Sequence, residues 1–379
     1  MSVWPRIAEF AVRPASMGIA LVAQAYLLQK SADGFLVFNG IYATQNLLGH
    51  LFYPGISISA FRAANGFSKI QRRLFNLASA VLLALSFVVL PFWSAAAIAL
   101  VGTVLTAVNT IMAQYYLGKA RPIISSALTQ ILPWSTLIVL LAVLSDLTLL
   151  KVMPLMMVLP SSVIAFRALL RLDPRQLDGS LQLNWKLGIF AFIQSFKAHG
   201  ISLLASPFQG VEVAGALFVV KLLSAAQNIV AYAGARRVKH FSVILRKSGK
   251  QAKSTALRSA EREGGILGVA LNLGVLAFYL QPFLTGLAVQ DALNQYIIAI
   301  LLLLALFSPF FLTSYIAVNI LEDGRLFLIN IASVLIFLVS YVCGLILLSP
   351  SATILVCYAA SALFFMAALT YELRKCVKC

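Results

Sequence analysis

The sequence predicts an all-α polytopic membrane protein of about 12 transmembrane helices, arranged as two six-helix lobes related by a parallel pseudo-two-fold repeat. Three observations predict it. Of 379 residues, 61% are hydrophobic and only 11% charged, against about 25% charged in soluble domains. Apolar runs of about 20 residues, the length of a bilayer-spanning helix, recur along the whole chain. Lys and Arg collect on one side of those runs. Such a composition cannot cover a soluble core with polar surface, so it excludes a water-soluble enzyme and a disordered regulator. The four cysteines all lie after residue 340, which excludes a disulfide-stapled secreted scaffold.

Runs bounded by Pro, Gly or charge place the first six spans near 7–28, 35–60, 74–92, 95–117, 122–145 and 149–170. The third and fourth are separated by Pro91 and the uncharged Phe92-Trp93-Ser94 turn. The second six fall near 185–206, 212–235, 264–284, 293–320, 325–348 and 351–372. The lobes are therefore expected at 1–175 and 176–379. Prolines inside expected spans, at positions Pro14, Pro54, Pro133, Pro160 and Pro309, predict local bends.

The cations then order themselves. Arg6 precedes the first span. The 2–3 loop holds Arg62, Lys69, Arg72 and Arg73, and the 4–5 loop holds Lys119 and Arg121. Arg167, Arg171, Arg175 and Lys186 lie between the lobes. Nine cations from Arg236 to Arg262 fill the 8–9 loop, Arg325 follows span 10, and Arg374, Lys375 and Lys378 end the chain. That is 24 of the 29 Lys and Arg on one side; the opposite loops hold only Lys30 and Lys151. The positive-inside rule then places both termini in the cytoplasm. The net charge of +17 is a topology signal rather than a sign of nucleic-acid binding. Two readings of the 8–9 loop stand open: a solvated cytoplasmic loop, or a surface touching anionic headgroups. The first span is expected to serve as an uncleaved insertion signal.

The halves echo one another. Trp4 and Trp185 open them. Gln45-Asn46-Leu47-Leu48 recurs as Gln227-Asn228-Ile229-Val230, Leu90-Pro91-Phe92 as Gln281-Pro282-Phe283, and Gly118-Lys119 as Gly324-Arg325. Six is even, so both halves enter the membrane the same way round, a transporter plan with the substrate site between repeats.

A polar stripe runs down the second span. Asn39, Tyr42, Asn46, His50 and Tyr53 fall on one helical face, and adding 182 to the first four gives Lys221, Ser224, Asn228 and Tyr232. Lipid offers these groups no partner, so the face lines a cavity or glues helices together. Arg13, one turn after Glu9, either pairs with it or faces substrate. In the seventh span Ser195, His199, Ser202 and Ser206 share one face, with Lys197 on another. Three cations (Arg13, Lys197, Lys221) against one carboxylate, Glu9, favour an anionic ligand such as a phosphate or pyrophosphate headgroup.

Several chemistries lack their residues. The outer loops offer only Asp33, Asp146 and Asp291, too sparse for a general acid/base pair, and no phosphate-cradling loop is present. Cys376-Val377-Lys378-Cys379 has no second pair to complete a zinc site. No cofactor and no metal site is expected.

Twelve spans, the parallel repeat, the polar first and second helices of each half, and Gly-Lys/Arg at the 4–5 and 10–11 turns together resemble the polysaccharide (O-antigen-type) flippases of the multidrug/oligosaccharidyl-lipid/polysaccharide (MOP) exporter superfamily. The resemblance implies two lobes around a central cationic cavity in a bacterial cytoplasmic (inner) membrane, and no enzyme activity. The implied substrate is a polyprenyl-pyrophosphate-linked oligosaccharide, flipped to the outer leaflet by alternating access. Membrane lipids, a polysaccharide polymerase and chain-length machinery are the implied partners. Arg13, Lys197 and Lys221 become candidates for the pyrophosphate. Asn39, Tyr42, Asn46, His50, Ser224, Asn228 and Tyr232 become candidates for the sugar path. Two other classes remain: an integral-membrane glycosyltransferase or polymerase, and a drug/cation antiporter dependent on Glu9.

Overall fold

A computed structural model describes residues 4–53, 69–118, 121–144, 147–171, 185–233, 235–247, 250–279, 288–321 and 323–378; some side chains within these ranges, among them those of Arg13, Asn228 and Tyr232, are outside the description. The described chain is helical almost throughout and contains no strand. Among the described residues, six helices are long and apolar enough to cross a membrane. Large apolar side chains point outward along them, Ile298 at 72% and Leu347 at 78% exposure, as a surface solvated by lipid rather than water requires. The chain forms two compact units, Met1–Gln209 and Gly210–Cys379.

The first unit opens with α1 (Trp4–Lys30) and α2 (Ala32–Phe52). One residue separates them: Ser31 is extended and its Oγ accepts from the Gly34 amide at 2.9 Å, satisfying a helix-start donor. α3 (Lys69–Val89) and α4 (Ser94–Gly118) follow. The next span is composite: α5 (Pro122–Ser126), a π-turn (Ala127–Ile131) and α6 (Leu132–Val143). A 3₁₀ turn at Leu147–Lys151 leads into α7 (Met153–Leu170). α3, α4 and α7 enclose a core of Phe75, Leu82, Ile111, Met112, Ala165 and Leu169. Within it Asn109 Nδ2 donates to Ser161 Oγ at 2.8 Å. Expected spans 35–60 and 149–170 thus begin as helices near their predicted starts, and positions 54–60 of the former lie outside the described residues.

The last helix of this unit is α8 (Trp185–Ala205). The sequence boundary at 175/176 assigned it to the second lobe, whereas its contacts are with α2. Small residues make that approach possible: a Cβ on Gly40 would collide with Ser206.

The second unit begins at Gly210, whose φ of 102° a residue with a Cβ rarely adopts. It contains α9 (Val211–Ala233), α10 (Ala235–Lys247), α11 (Lys250–Tyr279) and α12 (Ala288–Phe307). A 3₁₀ turn (Ser308–Phe310), α13 (Phe311–Ile320), α14 (Asp323–Leu347) and α15 (Pro350–Lys378) complete it. The hairpin of α14 and α15 is locked by paired serines: Ser333 Oγ donates to Ser361 O at 3.2 Å and Ser361 Oγ to Ser333 O at 2.9 Å. Thr313 and Thr370 hydroxyls lie 2.8 Å apart between α13 and α15.

Two expectations are refined. The 8–9 segment, read as a loop, contains α10 and the first half of α11. Val238, Phe241, Ser242 and Leu245 recur at helical spacing and are buried, and that periodicity was masked by the cations between them. The prolines act unequally. Pro133 follows the π-turn and Pro309 sits in the 3₁₀ turn that divides α12 from α13, where a missing N–H breaks the α ladder. Pro160 stays within α7 and Pro14 within α1; Pro54 is outside the described residues.

Candidate functional site

In the first unit the polar stripe of α2 divides into two environments. Asn39 is fully buried; its Nδ2 donates to Phe35 O at 2.8 Å and its Oδ1 has no partner. One turn on, the Tyr42 ring meets Trp134 of α6 edge-on at 5.5 Å and His199 of α8 edge-on at 6.0 Å. Of the two faces proposed for α8, the Ser195, His199, Ser202 and Ser206 face is thus the one turned to α2. The Ser195 and Ser202 hydroxyls are buried there without partners. Lys197, about 200° from His199 around the helix, is half-buried on another side.

Lower on the stripe, Asn46, His50 and Tyr53 line one small, partly open cavity of about 20 Å³ with Gly49 and, from α4, Thr106, Ala107, Thr110 and Ile111. Asn46 Nδ2 donates to Tyr42 O at 2.8 Å. Tyr53 Oη and Ser79 Oγ are 2.9 Å apart. The Thr106 hydroxyl has no protein partner, and neither amide atom of Gln45, buried against Gly102, has one. Unsatisfied polar atoms on a cavity wall are costly unless water or ligand meets them. Arg13 lies within α1 with its side chain outside the described residues. On the same helix, Ser16 Oγ donates to Gln130 Oε1 at 3.1 Å.

In the second unit α9 carries the corresponding stripe. Residues Val213–Val220 are buried in one unbroken run. Lys221 follows, half-buried, and among the described residues it has no carboxylate or hydrogen-bond partner. One turn later Ser224 Oγ donates to Tyr358 Oη of α15 at 3.2 Å. Tyr315 Oη of α13 donates to Gln227 O at 3.2 Å, and Gln227 Nε2 is buried without an acceptor. The next two stripe positions, Asn228 and Tyr232, have side chains outside the described residues. Tyr315, Tyr358, Gln227, Thr106 and Thr110 were not found from sequence. They are weakly polar positions in largely apolar helices, a signal that only spatial neighbours make meaningful.

Among the described side chains, which do not include that of Glu9, no Asp or Glu is buried, and no group of three or more His, Cys, Asp or Glu could hold a metal ion. Cys376 is a free thiol, and Cys379 lies outside the described residues.

The architecture matches solved structures over its full length. An inward-facing multidrug-resistance MATE family transporter of the MOP superfamily superposes with a TM-score of 0.65 at 15% identity, covering 98% of each chain. The chain has the fold of the MATE transporters. A MATE structure in complex with MaL6 gives 0.59 at 15% identity, covering 98% of this chain and 96% of that one. A MOP superfamily transporter from Pyrococcus furiosus, for which reversed polarity of the binding pocket suggests a different function, gives 0.52 at 14% identity, covering 98% and 95%. No protein-family model and no curated protein matches the sequence. The MATE-like fold accounts for the apolar exterior.

Proposed function

We propose that this protein is a membrane transporter that flips a lipid-linked oligosaccharide with a pyrophosphate head, by alternating access. Lys221 is the observation that carries the reading. A lone ammonium within a span costs about 2.5–3.5 kcal/mol on insertion scales, and such groups are retained where a ligand or counter-ion meets them. With no described carboxylate buried near it, the complementary ligand is an anion. A phosphate-bearing head cannot cross hydrocarbon unaided, since each unsatisfied polar group costs several kcal/mol. A cationic, hydroxyl-rich path substitutes for water while the lipid tail stays in the bilayer. The Pyrococcus furiosus transporter's reversed pocket polarity supports such a departure within this fold. The direction, from cytoplasmic to outer leaflet, is the one the flippase resemblance implies, with the cation-rich loops expected on the cytoplasmic side.

The test is Lys221→Ala and Lys221→Arg in cells that display the polysaccharide. Ala should block surface polysaccharide and accumulate lipid-linked oligosaccharide inside, with Arg retaining transport. Ala should also leave thermal stability equal or raised, because it removes an uncompensated charge. Normal surface polysaccharide with Ala would exclude Lys221 from the path. A second reading, export of cationic drugs, is favoured by the multidrug-resistance transporter of the same fold. It requires cationic-dye efflux that survives Lys221→Ala and disappears with Glu9→Gln.

A further inference from the structure

From Ala235 to Ala260 the chain carries eight Lys and Arg and not one Asp or Glu. Orientation of a membrane protein requires only that such charge be present, not that it be ordered. Here it is built into two packed helices. α10 buries Val238, Phe241, Ser242 and Leu245 against α11 and α13, so its apolar stripe is already satisfied within the unit. By register, at about 100° per residue, Arg236, Arg237, Lys239, Arg246 and Lys247 occupy positions off that stripe. His240, among them, is exposed.

The height of this face follows from the flanking helices. α11 has no charged residue from Gly264 to Tyr279, a stretch of about 24 Å at 1.5 Å per residue, most of the ~30 Å hydrocarbon core. Arg262 and Arg258, both exposed, follow within two turns, at the depth of the headgroup layer. α9 ends at Ala233 and α10 begins at Ala235, so the first turn of α10 starts at the same end of the unit. Neutralisation is slight. Glu261 is engaged by Arg374, whose Nε and Nη2 lie 3.0 and 2.7 Å from its Oε1, which leaves Glu263 as the other acid of the segment.

We propose that the cationic face of α10, together with Arg258 and Arg262, binds the phosphate groups of anionic membrane phospholipids at this end of the second unit. Guanidinium forks match phosphate oxygens in a bidentate geometry. Each cation near a charged membrane surface contributes about fivefold in affinity.

The test uses the full-length protein in detergent, titrated with micelles carrying phosphatidylglycerol or phosphatidylcholine, with bound phospholipid counted by native mass spectrometry. Phosphatidylglycerol should be retained at least tenfold better at low salt. The preference should collapse near 1 M salt, where screening acts within about 3 Å. The combined R236Q/R237Q/K239Q/R258Q/R262Q variant should bind both lipids alike, and R72Q/R73Q, in the 2–3 segment, should keep the preference. Should the combined variant fail to fold, R258Q/R262Q alone should lower the preference about tenfold or more. Equal retention of both lipids by the unaltered protein, a salt-independent preference, or full preference in R258Q/R262Q would each overturn the proposal. Tight binding of soluble polyglutamate without phosphatidylglycerol retention would also overturn it, in favour of an acidic protein partner.

Discussion

Gly40 offers a direct test of the seating of α8 on α2. A Cβ added at Gly40 would fall well inside van der Waals contact with the Ser206 side chain, with Ser206 Cα 3.8 Å away, whereas carbon atoms attract best at about 3.5–4.0 Å. Ser206 is not free to swing aside, because its Oγ donates to Leu203 O at 2.7 Å. The helices must therefore separate or the hydroxyl must lose its acceptor. Overpacking of this kind costs about 1–3 kcal/mol, and in a unit of roughly 200 residues each kcal/mol lowers Tm by about 2–4 °C. Gly40→Ala should accordingly melt several degrees below the unaltered protein in a fluorescence-detected thermal assay in detergent. Ser206→Gly alone should be mildly destabilising, and adding it to Gly40→Ala should restore most of the loss. The coupling between the two sites should be about 1–2 kcal/mol. Additive effects in that cycle would show that α8 does not rest on Gly40, and an unchanged Tm for Gly40→Ala would refute the close approach itself.

Two further outcomes follow from buried hydrogen bonds. Asn109→Ala should cost about 1 kcal/mol in the same assay, within the range of interhelical bonds in membranes, since it removes the donor to Ser161. Asn109→Asp, which places a charge there, should cost more; equal effects would mean that water reaches the site. At the α14–α15 hairpin, Ser333→Ala should cost about 1 kcal/mol because it leaves Ser361 Oγ with one partner fewer. Ser333→Ala with Ser361→Ala should cost less than the sum of the two single changes, since replacing both partners leaves no orphan. Strict additivity would count against the reciprocal pair.

The membrane class, the positions of most helices and the polar character of α2 and α9 were legible from composition and periodicity, because lipid penalises the same residues wherever they occur in the chain. Partnership was not legible. That His199 rather than Lys197 turns to α2 depends on Tyr42 and Gly40, over 150 positions away. That Asn46 and His50 share a cavity depends on Thr106 and Thr110, which in sequence are two weakly polar residues in an apolar helix. The missed order of α10 has a different origin. A stripe of four residues carries its helix, and the cations between them dominate any average taken over the segment. The end of the seventh span shows the limit of counting alone: a repeat of six plus six sets the boundary before Trp185, whereas packing draws that helix to the first unit.

The π-turn at Ala127–Ile131 has an effect on phase. An ordinary helix through the fifth span would carry Pro133, Trp134, Leu137 and Leu141 roughly 120° round from the side on which Ser125, Ser126 and Leu128 are covered. One surplus residue in the wide turn removes most of that drift. All of these positions then share a continuous inner edge, and Trp134 arrives beside Tyr42. The irregularity is thus a phase correction: a local departure from regular winding lets a single span keep the same neighbours from end to end.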